Sequence, residues 1–286
     1  MKNKPLISVA MGVHYRRSDT TLLNRSIKSI LNQSLKNFEF LICEYGSSEQ
    51  AKRELEELAK HDDRIQLIKG RKPGTLSHNL NDCLRVAQGQ YFARMDDDDL
   101  SYPDRFEKQV AYLTEHKNIS FVGCNVVLNY DGMIAGKRCF PELPTVRDFF
   151  MTQPYIHPAI MFRREDLVTI GGYSESPSCT LCEDYDLLLR LYEKGFQGAN
   201  LQEFLLEYSI VTSEKGKRTL KHRWYETVTR FRHFRLLKLF PMALPYVVKP
   251  LLVGLMPACI IAKIKNDGEG KHAIIFSRNG STTENQ

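Results

Sequence analysis

The chain has 286 residues, 42% of them hydrophobic and 26% charged, with a formal net charge of +6. That is an ordinary globular balance: one large domain, or one with an appendage, whose core needs no disulfide staples. The charge excess is concentrated, with nine Lys/Arg against two acidic residues from Glu214 to Lys238, a segment suited to an anionic partner.

Leu6–Met11 reads as a buried strand, and Leu23, Ile27, Ile30 and Leu31 then fall at helical spacing. Phe38–Cys43 is a second strand, followed by a charged helix over 49–60 and a short third strand over Arg64–Ile68. Pro73-Gly74 turns the chain into a helix with Leu76, Leu80, Leu84 and Ala87 on one face, and Gln90–Met95 is the fourth strand. This alternation predicts parallel βαβ units in a doubly wound sheet, where ligands bind beyond the carboxyl ends of the strands. His14-Tyr15, Glu44–Ser47 and Asp96–Asp99 all fall at such ends and are expected to converge.

Further on, Pro103 suits the first turn of a helix, Ile119–Asn129 reads as a long strand and Asp131-Gly132 as a hairpin turn. Ile156–Phe162 is predicted to be a strand and Glu183–Lys194 a helix, with an irregular region over 129–155. The seven cysteines are scattered, and Met1–Pro5 runs into the first strand with no apolar leader, so free thiols in a reducing cytoplasm are expected. Cys179 and Cys182 form a lone CxxC with no second pair for zinc.

Four consecutive carboxylates repel one another, so Asp96–Asp99 is either a solvated loop or the seat of a cation. The run follows an apolar strand directly and is pinned by Leu100 and the helix beyond Pro103, which favours the cation. Hard divalent ions take oxygen ligands, commonly one or two carboxylates plus substrate phosphates. An Asp-x-Asp spacing supplies two, as Asp96/Asp98 or Asp97/Asp99. Glu183-Asp184 opens a helix, where acids are favoured by the dipole; alternatively, one of them is a general base.

These motifs in this order resemble family 2 glycosyltransferases with the GT-A fold, of the type that builds bacterial surface polysaccharides. The resemblance is carried by Ile7–Val9, Phe38–Ile42, Glu44–Ser48, Ala93–Asp99, Ser101–Phe106, His157–Arg163, Gly171–Tyr173 and Glu183–Leu187. It implies an α/β GT-A fold, a doubly wound, mostly parallel sheet flanked by helices. Residues 1–212 would be the catalytic domain, with 1–115 the nucleotide-sugar half and 116–212 the acceptor half. It makes Asp96 and Asp98 the DxD pair that holds Mn²⁺ or Mg²⁺, Asp98 the more direct ligand, and Asp184 the inverting catalytic base. Glu44 would accept from the nucleobase, Tyr15 would stack on it, and Arg71 would meet uracil or phosphate. His157 and Glu183 would line the acceptor side. Tyr45 replaces a usual acid, and Tyr208-Ser209-Ile210-Val211 lacks a usual histidine, so no third protein ligand to the metal is expected there.

After the catalytic domain, 213–265 is a basic and then apolar segment. A helix is predicted over Leu220–Leu239, and Leu239–Ala262 carries one charge, Lys249, and four prolines. A spanning helix needs about 20 apolar residues in regular conformation, so an interfacial attachment to an anionic membrane is the expectation, against packing on the domain. No nucleic-acid module accompanies the charge. Residues 266–286 are expected to be disordered. The whole reads as an inverting transferase acting on a UDP-sugar and a lipid-linked saccharide acceptor at the inner face of the cytoplasmic membrane. A metal-dependent sugar nucleotidyltransferase and a non-catalytic sugar-nucleotide-binding protein are the competing readings.

Overall fold

The computed structural model describes residues 4–71, 74–210 and 219–255. Strand and helix alternate as β1 (Ile7–Val13), α1 (Thr21–Leu31), β2 (Phe38–Glu44), α2 (Glu49–His61), β3 (Ile65–Lys69), α3 (Leu76–Val86) and β4 (Tyr91–Met95). The apolar runs are buried on both faces of the sheet, and the helices cover them with stripes such as Leu23, Ile27 and Ile30 of α1. Ser48 and Thr75 start α2 and α3 by accepting from the backbone N–H groups of Ala51 and His78. The four strands pair in parallel in the order β3-β2-β1-β4, so their carboxyl ends share one edge.

The second half comprises β5 (Leu100–Ser101), α4 (Arg105–Glu115), β6 (Ile119–Tyr130), β7 (Met133–Arg138), β8 (Met161–Arg163), α5 (Arg164–Thr169), α6 (Glu183–Glu193) and β9 (Gln197–Ile210). The sheet continues β4-β8-β6-β9-β5, with β7 on β6. β8 runs antiparallel to both β4 and β6, while β6 and β9 are parallel. The α/β GT-A-like expectation holds, but as a nine-stranded mixed sheet, parallel chiefly in its first half. The strand expected over Ile156–Phe162 is shorter: His157–Ala159 forms a 3₁₀ turn and only Met161–Arg163 pairs. Pro158 explains it, since it has no N–H for a ladder and its fixed φ suits a helical first turn.

After β9 the chain forms α7 (Leu220–Leu236) and α8 (Leu244–Leu255). α7 packs on α6 and α8, and both helices meet the segment around Phe149-Phe150. Phe150 stacks on Tyr246 at 4.8 Å and meets Phe234 edge-on at 5.3 Å. His233, fully buried, bridges Asp186 (3.0 Å) and Glu193 (2.6 Å) of α6. Arg230 gives hydrogen bonds to the carbonyls of Phe149 and Phe150. Pro250 lies inside α8, so the prolines permit a helix, though one of 12 residues. Among the described residues no helix is long and apolar enough to cross a membrane. The six described cysteines are free thiols. The expected disorder over 266–286 falls outside the described residues, as do 211–218 and 256–265.

Candidate active site

The ends of β1 and β2 are laced together. The Ser48 N–H donates to the Tyr15 carbonyl at 2.8 Å, and the Tyr15 N–H donates to Ser47 Oγ at 3.0 Å. Glu44 Oε1 accepts from the Ser47 N–H at 2.7 Å, which closes a turn through Gly46 at φ +74°, a conformation glycine adopts without strain. Tyr15 is 7% exposed, its hydroxyl donating to the Asp19 carbonyl, whereas His14 is exposed and stacks with Tyr45. Burial, together with Asp97 and Asp98, raises the Tyr15 phenol, while Arg17 opposes them. Arg71 is engaged elsewhere: its guanidinium pairs with Asp82 at 2.8 Å and Glu175 at 2.6 Å.

The aspartate run is clamped between two strands. β4 delivers it, and β5 leaves it by pairing with β9. β9 also holds the run itself, because Ser209 donates through its N–H to Asp99 Oδ1 (2.7 Å) and through its hydroxyl to the Asp98 carbonyl (2.6 Å). From the other side Ser26 of α1 donates to the Asp96 carbonyl at 2.6 Å. The carboxylates of Asp96, Asp98 and Asp99 come within 4.8 Å of one another. Asp99 Oδ2 is buried and makes no hydrogen bond, and Arg94, fully buried, pairs with Asp96. Burial and then Asp98 and Asp96 push the Asp97 carboxyl up to about 8. A cluster of carboxylate oxygens with one orphaned buried oxygen fits a hard divalent cation.

Glu183 and Asp184 occupy the first turn of α6, where N–H groups lack helical partners and the dipole favours negative charge. The Tyr185 N–H donates to Asp184 Oδ1 at 2.8 Å. The loop before α6 is fixed by Asn81 of α3, which exchanges two 2.9 Å hydrogen bonds with the backbone of Tyr173. Gly172, at φ +68°, has no room for a side chain, since a Cβ would lie 2.6 Å from Asn81 Oδ1. The Tyr173 hydroxyl meets His157 Nε2 at 2.8 Å. Burial, and then the Arg94 charge, hold His157 well below its usual range, so the imidazole is neutral. A cavity of about 700 Å³ joins Asp96, His157, Glu183 and Asp184, and Tyr208 lines it too.

The family model described as Glycosyl transferase family 2 matches residues 8–171, more than half of the chain. The chain belongs to this family. EpsE of Bacillus subtilis (strain 168), named as a glycosyltransferase, is 35% identical over 276 residues, covering 94% of this chain and 98% of EpsE. The O-antigen biosynthesis glycosyltransferase WbnJ of Escherichia coli is 31% identical over 223 residues, covering 76% and 84%. In fold, the chain is similar to S. aureus TarS 1–349 in complex with UDP-GlcNAc, with a TM-score of 0.62 at 15% identity over 86% of this chain and 79% of TarS. The mannosyltransferase PcManGT from Pyrobaculum calidifontis, in complex with GDP-Man and Mn²⁺, gives 0.56 at 16% identity over 94% and 81%.

In this glycosyltransferase the residues singled out by sequence divide into three groups. Asp96, Glu183, Asp184 and His157 share the cavity; Asp98 stands beside Asp96; Tyr15 and Glu44 form the strand-end turns next to the run. Arg71 is tied to α3 and Glu175. Sequence reasoning offered Asp99 only as the partner of Asp97 in an alternative pair, and did not single out Arg94 as the counter-charge of Asp96 or Tyr173 and Tyr208 as phenols within electrostatic reach of the carboxylates. Burial raises both phenols, Tyr173 further through Asp184, Glu183 and Asp96, and Tyr208 through Asp96, Asp99 and Asp98. The Gly171-Gly172-Tyr173 signature could have pointed to Tyr173, since paired glycines mark a constrained turn.

Proposed function

We propose that this glycosyltransferase moves a sugar from a UDP-sugar to a saccharide acceptor, with inversion, in the synthesis of a surface polysaccharide. The observation that carries the reading is the meeting of Asp96 and the Glu183-Asp184 pair in one cavity beside the Asp96–Asp98–Asp99 oxygen cluster. Asp184 takes the proton from the acceptor hydroxyl as it attacks the anomeric carbon, which raises the rate by about 10²–10⁴-fold. A single displacement needs no enzyme nucleophile. Asp98, Asp96 and Asp99 hold Mn²⁺ or Mg²⁺, which supplies positive charge against the departing diphosphate. Arg94 fixes the Asp96 carboxylate, while Glu44 and Tyr15 shape the nucleobase end; Arg71, held by Asp82 and Glu175, would have to leave those partners to meet the donor. Neutral His157 and Glu183 line the acceptor side.

The UDP-GlcNAc seen with TarS supports a UDP-sugar donor, and the Mn²⁺ seen with the mannosyltransferase supports the ion. The O-antigen role in the name of WbnJ supports a polysaccharide product. We place the enzyme on the inner face of the cytoplasmic membrane, with residues 1–212 catalytic and a lipid-linked acceptor. The support is an exposed apolar surface on α7 and α8. Leu220, Trp224, Val228 and Phe231 on α7, and Leu244, Val248, Leu252 and Leu255 on α8, are exposed at i, i+4, i+8 and i+11. Two such stripes flanked by Arg232, Arg235 and Lys238 suit an anionic interface.

The test is calorimetric titration of UDP-, GDP- and dTDP-sugars with Mn²⁺ and with EDTA. UDP-sugars are expected to bind tightest with Mn²⁺, and both EDTA and Asp98→Ala to abolish binding. Donor affinity indifferent to both would overturn the assignment.

A further inference from the structure

Three tyrosines line the cavity that joins Asp96 to Asp184, and their hydroxyls are used differently. The Tyr155 hydroxyl meets that of Tyr192 at 2.7 Å, and the Tyr185 hydroxyl donates to the Phe149 carbonyl at 2.7 Å. The Tyr208 hydroxyl makes no hydrogen bond among the described residues. A phenol sheltered by protein ordinarily finds a partner, so one left without a partner on a cavity wall is open to a ligand. The backbone holds this side chain in place. Tyr208 lies in β9, opposite Leu128 of β6. Its chain neighbours are fixed too: Glu207 pairs with Leu100 of β5, and Ser209 donates to Asp99 and to the Asp98 carbonyl. The half-buried ring is thereby anchored beside the aspartate run. Burial raises the phenol, and Asp96, Asp99, Asp98 and then Asp184 raise it further, so the group keeps its proton and stands within electrostatic reach of both the aspartate cluster and the base.

We propose that Tyr208 is a catalytic residue whose hydroxyl donates a hydrogen bond to the terminal phosphate of the leaving nucleoside diphosphate. The proposal rests on the reading of Asp96 and Asp98 as the pair that holds the donor and of Asp184 as the base. In the transfer, the acceptor oxygen bonds to the anomeric carbon and gives its proton to Asp184. The bond from that carbon to the diphosphate oxygen breaks, and its electron pair stays on the diphosphate. Tyr208 gives up no proton. Its O–H dipole meets the negative charge that grows as the bond breaks, so the contact is stronger late in the reaction than in the bound donor. Ionised carboxylates can only accept hydrogen bonds, so the neighbouring aspartates cannot take this part. Because β6, β5 and the Ser209 clamp already fix β9, the donor group is aimed before the charge develops.

The probes are UDP, UMP and UDP-GlcNAc, each titrated by calorimetry with Mn²⁺ into the full chain and into Tyr208→Phe, which removes the hydroxyl and keeps the ring. UDP carries the terminal phosphate in its fully charged form, as the leaving group does, and UMP lacks it. Tyr208→Phe is expected to weaken UDP by about ten- to hundredfold, the range of a hydrogen bond to a charged group, and to leave UMP within about twofold. Equal UDP affinity in the two proteins would overturn the proposal. A parallel loss for UMP would overturn it too, by showing that the variant disturbs the whole donor site. Loss for UDP-GlcNAc with UDP unchanged would assign the hydroxyl to the sugar, and the diphosphate contact falls. Should wild type bind GDP or dTDP in place of UDP, the UDP reading fails, and the same comparison of diphosphate with monophosphate in that nucleotide decides the role of Tyr208 by itself. Binding of no nucleoside diphosphate would remove both.

Discussion

The strand-end half of the site and the C-terminal helical pair reach the same cavity by different physics. In the first, backbone geometry does the positioning: β1, β2 and β4 are parallel neighbours, so whatever follows them in sequence meets at one edge. In the second, side chains do it. α7 and α8 present Arg223, Arg230 and Lys249 to the cavity only because His233, Phe234 and Tyr246 lock the helices onto α6 and Phe150. In a site made by strand ends, each group is placed by following its strand directly in sequence. A site made by docked helices depends on buried polar pairs between residues 40 or more apart.

The sharpest way to break this comparison is Asp184→Asn, because Asp184 stands where the two regions meet. Transfer is expected to fall by about 10²–10⁴-fold while UDP affinity with Mn²⁺ is retained. Single-turnover transfer measured beside calorimetry checks it. Near wild-type transfer would remove Asp184 as the base and separate the α6 carboxylates from the chemistry.

That contrast also explains what could be read in the sequence. Alternating apolar runs and amphipathic helices fixed the order β1 to β4, and the acids placed directly after strands pointed to the site. The antiparallel insertion of β8 between β4 and β6 was not legible, since Met161–Arg163 is three residues long and its partners are far away in sequence. Nor was the short β5, whose pairing with β9 turns Ser209 into the clamp on Asp98 and Asp99. The charge of 214–238 was plain, but not how α7 divides its share between a cavity face and a solvent face. That division depends on which side of α7 docks, and aromatic and basic residues alternate around the helix.

His233→Leu tests the docking itself. Burial alone would lower this imidazole, but hydrogen bonds to Asp186 and Glu193 outweigh it and raise the pKa above 6.5. The protonated bridge is therefore fully present below about pH 6.5, and its contribution is lost as the pH rises through the higher folded value. Removing it leaves buried carboxylates short of a partner and is expected to cost about 3 kcal/mol. Denaturant melts at pH 6 and pH 9 should show a wild-type advantage that shrinks at the higher pH. A constant advantage would make His233 a packing residue only.

A smaller effect is expected on the solvent face. Trp224→Ser with Leu252→Ser should weaken binding to phosphatidylglycerol vesicles by about tenfold, leaving the melting temperature unchanged because both side chains are exposed. Equal co-sedimentation would confine the second region to its role in the cavity.

The smallest effect separates the two regions by their response to metal. Asp97, like His233, has a raised pKa, brought up to about 8 by burial and by Asp98 and Asp96. Its carboxyl would titrate near 3.8 without those surroundings. The folded chain thus holds a proton that the unfolded chain has lost, and the associated stability, complete below about pH 4, declines as the pH rises through about 8. A divalent cation among the neighbouring carboxylates cancels the part of the shift that Asp98 and Asp96 add to that of burial. Metal-free protein should therefore lose a few degrees of melting temperature, about 2–4 °C per kcal/mol, between pH 5 and pH 8. Mn²⁺ should restore it, and Asp97→Asn should flatten the slope without metal. His233 lies in a cluster whose charges are already paired, so Mn²⁺ should leave its pH dependence untouched. A wild-type slope identical to that of Asp97→Asn, or one that Mn²⁺ does not change, would mean that the aspartate run is solvated in the folded chain and that the strand-end half gains nothing from the ion.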